Sequence, residues 1–248
     1  MLRKLISYPL SIIFYLFFGL VLVIFHPIQW TALKLGGKKA HKRVVDCLNL
    51  SILGCLTLLG VFISYRKNFE IPEGKPLIIV SNHQSMFDIP LIIWFMRKYT
   101  PKFISKIELG KGIPSISFNL RHGDNALIDR KNPKQSIPEL MRFSKLIKEN
   151  KYAAVIFPEG TRSRTGSPKP FAGTGLKVLF KNIPDAVVVP VTINNSWKLL
   201  RYGNFPMGIG IHLTLDVQEP IEVKDYETEE LNEKLYQSVT ENIIKQHN

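Results

Sequence analysis

The sequence predicts an α/β domain, a mixed and largely parallel sheet flanked by helices, preceded by an N-terminal two-helix membrane hairpin. Three observations predict it. From about Asn68 onward, short apolar runs alternate with polar, helix-compatible segments, the rhythm of strands joined through covering helices. Several of those runs stop abruptly in polar turns that carry His, Glu or Arg. Ahead of them, two long stretches are free of charge and are bracketed by basic residues.

The hairpin comes first, over residues 1–66, with the α/β domain over residues 67–248. Leu5 to Phe25 is an uncharged run of about 21 residues, long enough to cross a hydrocarbon core of about 30 Å. Cys47 to Ser64 is a second uncharged run, at the lower limit of a span. Pro9 and Pro27 shorten the first helix, and Gly36-Gly37 followed by a basic cluster reads as the bend between two arms. Basic residues at both the N-terminus and the bend give no one-sided bias, so a hairpin dipping into one leaflet fits as well as two spans. No small-residue cleavage site follows the first run, which argues against a removable signal peptide.

In the domain, the predicted strands are Pro76–Ser81, Asn125–Ile128, Ala153–Phe157, Ala186–Ile193 and Gly208–Val217. Between them lie predicted helices over Ile89–Lys98, Lys134–Asn150 and Ala172–Lys181. Leu231, Leu235, Val239 and Ile243 recur every four residues and predict an amphipathic C-terminal helix over Glu229–Gln246. Pro190, within Val187-Val188-Val189-Pro190-Val191, predicts a strand at an edge or a bulge.

Composition narrows the partners. The formal charge is +13, which calls for an anionic partner: nucleic acid, a phospholipid surface or a phosphorylated substrate. No acidic residue precedes Asp46, while Arg3, Lys4, Lys34, Lys38, Lys39, Lys42 and Arg43 flank the apolar runs. That distribution favours an anionic phospholipid membrane, and no nucleic-acid module accompanies the charge. Cys47 and Cys55 are the only cysteines. Eight residues of helical rise put them about 12 Å apart, beyond disulfide reach, and two thiols do not make a thiolate zinc cluster. No metal is expected, and a reducing, cytoplasm-facing setting is favoured.

The chemistry concentrates at the ends of the apolar runs. His83 and Asp88, in Asn82-His83-Gln84-Ser85-Met86-Phe87-Asp88, directly follow Leu77-Ile78-Ile79-Val80. Residues five apart on one helix point about 140° away from each other, so the two meet only if His83 lies in the turn and Asp88 starts the next helix. Pro90 suits such a start. The pair can then be a base and its orienting carboxylate, while Ser85-x-x-Asp88 equally fits a helix cap. Phe157-Pro158-Glu159-Gly160-Thr161-Arg162-Ser163 follows a second strand. Gly160 permits close backbone approach, Arg162 offers a planar fork for phosphate oxygens, and Thr161 and Ser163 add hydroxyls. Arg130 ends Ala126-Leu127-Ile128-Asp129-Arg130 and could meet Arg162 above the sheet as a phosphate clamp; Lys106 is a further candidate cation.

Asn82-His83-x4-Asp88, Leu127-Ile128-Asp129-Arg130, Phe157-Pro158-Glu159-Gly160-Thr161-Arg162-Ser163 and Val188-Val189-Pro190-Val191, in that order, resemble the four motifs of the glycerolipid acyltransferases, closest to the bacterial 1-acyl-sn-glycerol-3-phosphate acyltransferases. The resemblance covers roughly residues 70 to 220, and the apolar hairpin looks like that family's membrane motif. It implies that His83 is the general base and Asp88 its orienter. Lysophosphatidic acid is then the acceptor, yielding phosphatidic acid. It further implies that Glu159, Gly160, Thr161 and Arg162, with Arg130 and Lys106, bind the phosphorylated acceptor. Acyl-CoA or acyl-carrier protein is implied as the donor substrate, with no bound cofactor, at a bacterial inner membrane with the catalytic domain facing the cytoplasm. Other acceptors, glycerol 3-phosphate or another lysolipid, use the same chemistry. One departure stands out: Ser115 follows Pro114 where relatives often have glycine.

Overall fold

The computed structural model describes residues 2–244. Its first element, α1 (Leu2–Thr57), is two helices joined at Gly37, where φ of 64° and ψ of −163° leave the helical path. His41 Nε2 and Gln29 Oε1 stand 3.1 Å apart. Twelve residues of straight helix would separate them by about 18 Å, so the two arms fold back on each other as Gly36-Gly37 predicts. Glycine is needed in this bend, since a Cβ on Gly36 would stand 2.5 Å from the Ala40 methyl carbon.

The hairpin lies along the rest of the molecule. On the inward side of the first arm, Ser11 Oγ accepts the Met207 N–H at 2.8 Å. Further along, Ser115 donates its hydroxyl to Leu22 O (2.5 Å) and its N–H to His26 Nδ1 (3.0 Å), and accepts from Gln29 Nε2 (3.2 Å). Those three bonds hold Ser115 at φ 60°, the positive-φ backbone that a glycine would adopt without strain. Outward, Leu5, Ile12, Leu16, Phe17, Val23 and Ile24 are all exposed.

The strands are β1 (Phe62–Lys67), β2 (Leu77–Ser81), β3 (Pro101–Lys106), β4 (Ala126–Ile128), β5 (Ala153–Ile156), β6 (Val187–Asn194), β7 (His212–Val217) and β8 (Ile221–Glu222). They form one sheet in the order β1-β7-β6-β2-β5-β3-β4, with β8 also on β6. The run β6-β2-β5-β3-β4 is parallel throughout, and β6 pairs antiparallel with β7 and β8. Helices α2 (Asp88–Phe95), α3 (Ile116–His122), α4 (Pro133–Asn150), α5 (Gly173–Asn182) and α6 (Thr228–Glu241) complete the domain.

Strand periodicity explains the two layers. Leu77 and Ile79 of β2 face one core, shared with Phe14, Leu48 and Ile52 of the hairpin and Leu91 of α2. Ile78 and Val80 face the other, shared with Phe143 of α4, Leu176 of α5 and Leu231 of α6. A strand buried on both faces has no polar alternation, which is why β2, β5 and β6 read as unbroken apolar runs.

Several sequence expectations are corrected. The second uncharged run does not stay helical to Ser64, because the helix stops at Thr57 and Phe62 opens β1, which pairs with β7. Pro190 is neither at an edge nor in a bulge; it sits inside β6, opposite Val80, at the point where β8 stops pairing and β7 begins. No ladder N–H is needed there. The strand read from Gly208 begins only at His212, and the helix read to Lys98 ends at Phe95, followed by a 3-10 turn over Arg97–Tyr99. The helix read over Glu229–Gln246 spans Thr228–Glu241 and ends at the C-cap Asn242, so Ile243 is not on it; residues 245 and 246 lie outside the described residues.

Lys102 of β3 is an unexpected buried cation, 8% exposed, donating to Gly123 O at 2.8 Å and lying 5.2 Å from the Tyr152 ring centre. Burial, helped by Lys42 and Lys38, pulls its pKa from 10.5 down to about 8. Between those values the unfolded chain binds more protons than the folded one, so stability should rise with pH from about 8 to 10.5, by on the order of 3 kcal/mol at most. Chemical denaturation in detergent should show this rise in the wild type and a flatter profile in Lys102→Met; equal slopes would refute it.

Candidate active site

Parallel pairing brings the sequence motifs to one edge. Val80 stands opposite Ile156 and Lys106 opposite Ile128, so the turns after β2, β3, β4 and β5 all leave from the carboxyl ends of adjacent strands. That edge is where open α/β sheets hold ligands.

The loop after β2 is fixed before it reaches the histidine. Asn82 acts like an added strand residue, its Nδ2 donating to Ile193 O and its Oδ1 accepting from Ile193 N–H, both at 2.8 Å. His83 is then held through its own backbone: its N–H donates to Glu159 Oε1 at 2.9 Å, and its carbonyl accepts from Ser163 N–H at 2.7 Å. Its ring stacks on Phe157, with centres 4.1 Å apart and planes 15° from parallel.

His83 Nδ1 lies 2.8 Å from Asp88 Oδ2. That oxygen also accepts the N–H groups of Gln84 (2.6 Å) and Ser85 (2.9 Å). The other oxygen, Oδ1, takes the Ser196 hydroxyl and, at 3.4 Å, the Ser85 hydroxyl. A carboxylate oxygen only accepts, so the proton between the ring and Asp88 sits on Nδ1. Nε2 is left as the nitrogen able to take a proton, on a side chain 16% exposed. Asp88 itself is completely buried. The helix-cap reading is corrected: Phe87 is the N-cap of α2 and makes no side-chain cap bond, Asp88 is the first helical residue, and its carboxylate satisfies the N–H groups of the preceding turn and meets the imidazole.

Glu159 departs from its expected place among the acceptor-binding groups. It is 7% exposed and turned inward, Oε1 accepting from His83 N–H and Oε2 from Lys169 N–H at 3.1 Å. Burial raises its pKa, and the two amide bonds and nearby His83 and Lys169 oppose that rise. An inward carboxylate tying two loops together would only repel a bound phosphate. Its geometry is that of a brace between the loops after β2 and β5.

The cations line the same edge. Arg130 donates from Nη1 to Gly160 O, and Gly160 has φ of 71°. Arg130 thus reaches the loop that carries Arg162, and burial draws its guanidinium below the ordinary value. Thr161, Arg162 and Lys106 are exposed. The Arg162 carbonyl accepts from Lys169 Nζ at 3.1 Å, leaving its guanidinium and the Lys106 ammonium without a protein partner among the described residues. No group of three or more His, Cys, Asp and Glu side chains converges on a metal position among the described residues.

Three contributors escaped sequence reasoning. Phe157 supplies the surface under the imidazole. Ser196 reaches Asp88, and Gln84 links them further, accepting from Ser196 N–H at 3.1 Å and donating to Gly166 O at 3.4 Å. Only the first had a usable signal: once β2 and β5 are neighbours in register, the residue following Ile156 must lie close to His83.

Comparison with known proteins agrees with this geometry. The sequence profile of the family described as Acyltransferase matches residues 62–194. A 1-acyl-sn-glycerol-3-phosphate acyltransferase of Limnanthes douglasii is 25% identical over 216 residues, covering 87% of this chain and 71% of that protein. Its counterpart in Borreliella burgdorferi is 25% identical over 190 residues, covering 75% of this chain and 71% of its own length. The crystal structure of the 1-acyl-sn-glycerophosphate acyltransferase PlsC from Thermotoga maritima superposes with a TM-score of 0.78 at 25% identity, over 100% of this chain and 99% of that one. With a family match spanning more than half of its length, and with three of the four motifs leaving one sheet edge while the fourth lies within the neighbouring β6, the chain belongs to the acyltransferase family.

Proposed function

We propose that the protein moves a fatty acyl group from an acyl thioester, carried on coenzyme A or acyl-carrier protein, to the sn-2 hydroxyl of lysophosphatidic acid, giving phosphatidic acid. The observation that carries this reading is the oriented His83–Asp88 pair, with Arg130, Arg162 and Lys106 along the same sheet edge. Relatives named as acylating 1-acyl-sn-glycerol 3-phosphate supply the acceptor.

The chemistry follows from the free ring nitrogen. Nε2 of His83 takes the sn-2 hydroxyl proton as that oxygen attacks the thioester carbonyl. The resulting tetrahedral oxyanion collapses, the C–S bond breaks, and the departing thiolate recovers the proton from the imidazolium. Asp88 stabilises that imidazolium and keeps the ring from turning. Arg162 and Arg130 face the acceptor phosphate, Thr161 and Gly160 shape its seat, Lys106 adds charge, and Glu159 holds the loops on which this depends. The outward apolar face of the first arm supports a hairpin lying in the near leaflet of a bacterial cytoplasmic membrane, with the catalytic edge on the cytoplasmic side.

The test is a donor and acceptor panel on purified wild type and Arg162→Ala. Lysophosphatidic acid should be preferred over lysolipids lacking a terminal phosphate. Arg162→Ala should raise the acceptor KM about tenfold or more with less change in kcat, since a charge-assisted pair is worth about 1.5–3 kcal/mol. An unchanged acceptor KM removes Arg162 from the phosphate site, and preference for glycerol 3-phosphate or a phosphate-free lysolipid replaces the acceptor.

A further inference from the structure

A second cationic feature lies away from His83. A cleft of about 820 Å³ is formed where the second hairpin arm crosses the end of α2, and Lys39, Lys42, Arg43, Arg97 and Lys98 line it with a single carboxylate, Asp46. Thr100, also in its wall, immediately precedes the first residue of β3. The cleft is therefore at the amino ends of the parallel strands, the sheet edge opposite the catalytic loops.

The charges divide into two groups. Lys42 is committed to Asp46 Oδ2 at 2.6 Å and to Arg97 O at 2.7 Å, and Arg97 donates to Trp94 O at 2.7 Å while its guanidinium covers the Trp94 ring at 4.0 Å. These cations cap the end of α2 and are held in place. Lys98 is paired with the exposed Glu73. Lys39 and Arg43 have no hydrogen bond or ion pair among the described residues. They are one helical turn apart on the same face, so two uncompensated charges converge beside three positioned ones. A phosphate group satisfies that arrangement.

What lies next to the charges identifies the bearer of the phosphate. The exposed stripe of the second arm runs Lys39, Arg43, Cys47, Leu50, Gly54, Thr57, passing from cationic to uncharged and apolar. The cleft wall adds Tyr65 stacked on Phe95 at 4.8 Å. A small soluble anion has no use for the apolar continuation; an amphiphile matches both halves. We propose that this cleft binds the phosphate headgroup of an anionic phospholipid that is not the substrate, its chains following the second arm. The proposal rests on the reading of the hairpin as membrane-bound.

The experiment compares binding of the full-length protein to vesicles of phosphatidylcholine alone and of equimolar phosphatidylcholine and phosphatidylglycerol. Lys39→Ala/Arg43→Ala should weaken binding to the anionic vesicles by about tenfold or more, since each basic residue at a charged surface adds to the attraction. Lys181→Ala/Lys224→Ala removes the same charge from the far side of the sheet and should change it by less than about threefold. Both double variants should retain wild-type acyl transfer on detergent-dispersed substrate, which reports intact folding. Equal weakening by the two pairs overturns the site, leaving only general attraction by net charge. Inorganic phosphate that raises the melting temperature of the wild type as much as the same concentration of detergent-dispersed phosphatidylglycerol, with neither effect in the Lys39/Arg43 variant, makes the site one for soluble anions and overturns the lipid assignment. Wild-type protein that binds neither vesicle overturns the membrane reading itself, a result separable from the other two.

Discussion

Replacing His83 with alanine is expected to lower kcat by about 10²- to 10⁴-fold, the usual contribution of a positioned general base, while leaving the fold and membrane attachment intact. The expectation of retained structure comes from how His83 is held. Its backbone N–H and carbonyl make the bonds to Glu159 and Ser163, and neither depends on the ring. The ring adds one bond to Asp88 and the stack on Phe157. Removing it leaves a small gap at the protein's edge and an Asp88 carboxylate still accepting two backbone N–H groups. Added imidazole, entering that gap, should restore part of the rate. Single-turnover measurement of acyl transfer with saturating donor and acceptor checks this, and full residual turnover would remove His83 from the chemistry. Wild-type circular dichroism beside the lost rate separates a missing base from a collapsed loop.

On the proposed function, binding and chemistry come from different strands. His83 follows β2, Arg162 follows β5, Arg130 follows β4 and Lys106 ends β3. Consecutive parallel strands β2, β5, β3 and β4 set the strand ends from which these groups leave at successive spacings of roughly 4.8 Å along the edge. An acceptor whose phosphate lies over the arginines is thereby carried toward the imidazole at one end. The hairpin crosses beside that end, with Phe14 of the first arm packed edge-on against Phe87, one residue before Asp88. A lipid acceptor leaving the apolar arm has the catalytic pair as its near neighbour.

How much of this could be read in advance depended on where the information resides. β2, β5 and β6 announce themselves because both faces are buried, and their polar exits mark the site. β1 and β3 do not: Phe62-Ile63-Ser64-Tyr65-Arg66-Lys67 is a half-exposed edge strand, and β3 opens on a proline and carries lysines near both ends, one of them buried. Only the pairing of β3 between β5 and β4 makes it a strand. His83 and Asp88 are five residues apart, so local geometry sufficed to predict their meeting. Ser196 reaches Asp88 across 108 positions, and Glu159 reaches the His83 amide across 76. Nothing local reports contacts of that range. The motif resemblance placed Glu159 with the substrate, where the fold turns it inward.

Two substitutions at Asp88 should separate its two tasks. In Asp88→Ala the N–H groups of Gln84 and Ser85 lose their shared acceptor inside a fully buried pocket, and the Ser196 hydroxyl loses its partner. Each buried donor left unsatisfied costs about 1–3 kcal/mol, so this variant should be destabilised by several kcal/mol and be inactive. Asp88→Asn is different. With its oxygen placed where Oδ2 stands, the amide still accepts from Gln84, Ser85 and His83 Nδ1, while its NH₂ group can donate to the Ser85 and Ser196 hydroxyls, both of which also accept. The turn and the ring orientation should survive, with a melting temperature close to wild type. The lost property is the negative charge beside the imidazolium that forms as the acceptor is deprotonated, and kcat should fall by about 10²-fold with little change in acceptor KM. Thermal unfolding and steady-state kinetics on both variants decide the matter. An Asn variant with undiminished turnover makes Asp88 a brace of the preceding turn and nothing more, and an Ala variant as stable as wild type denies it that bracing role. The two variants separate these tasks because one oxygen of one carboxylate accepts from the turn before α2 and lies against the imidazole at the same time.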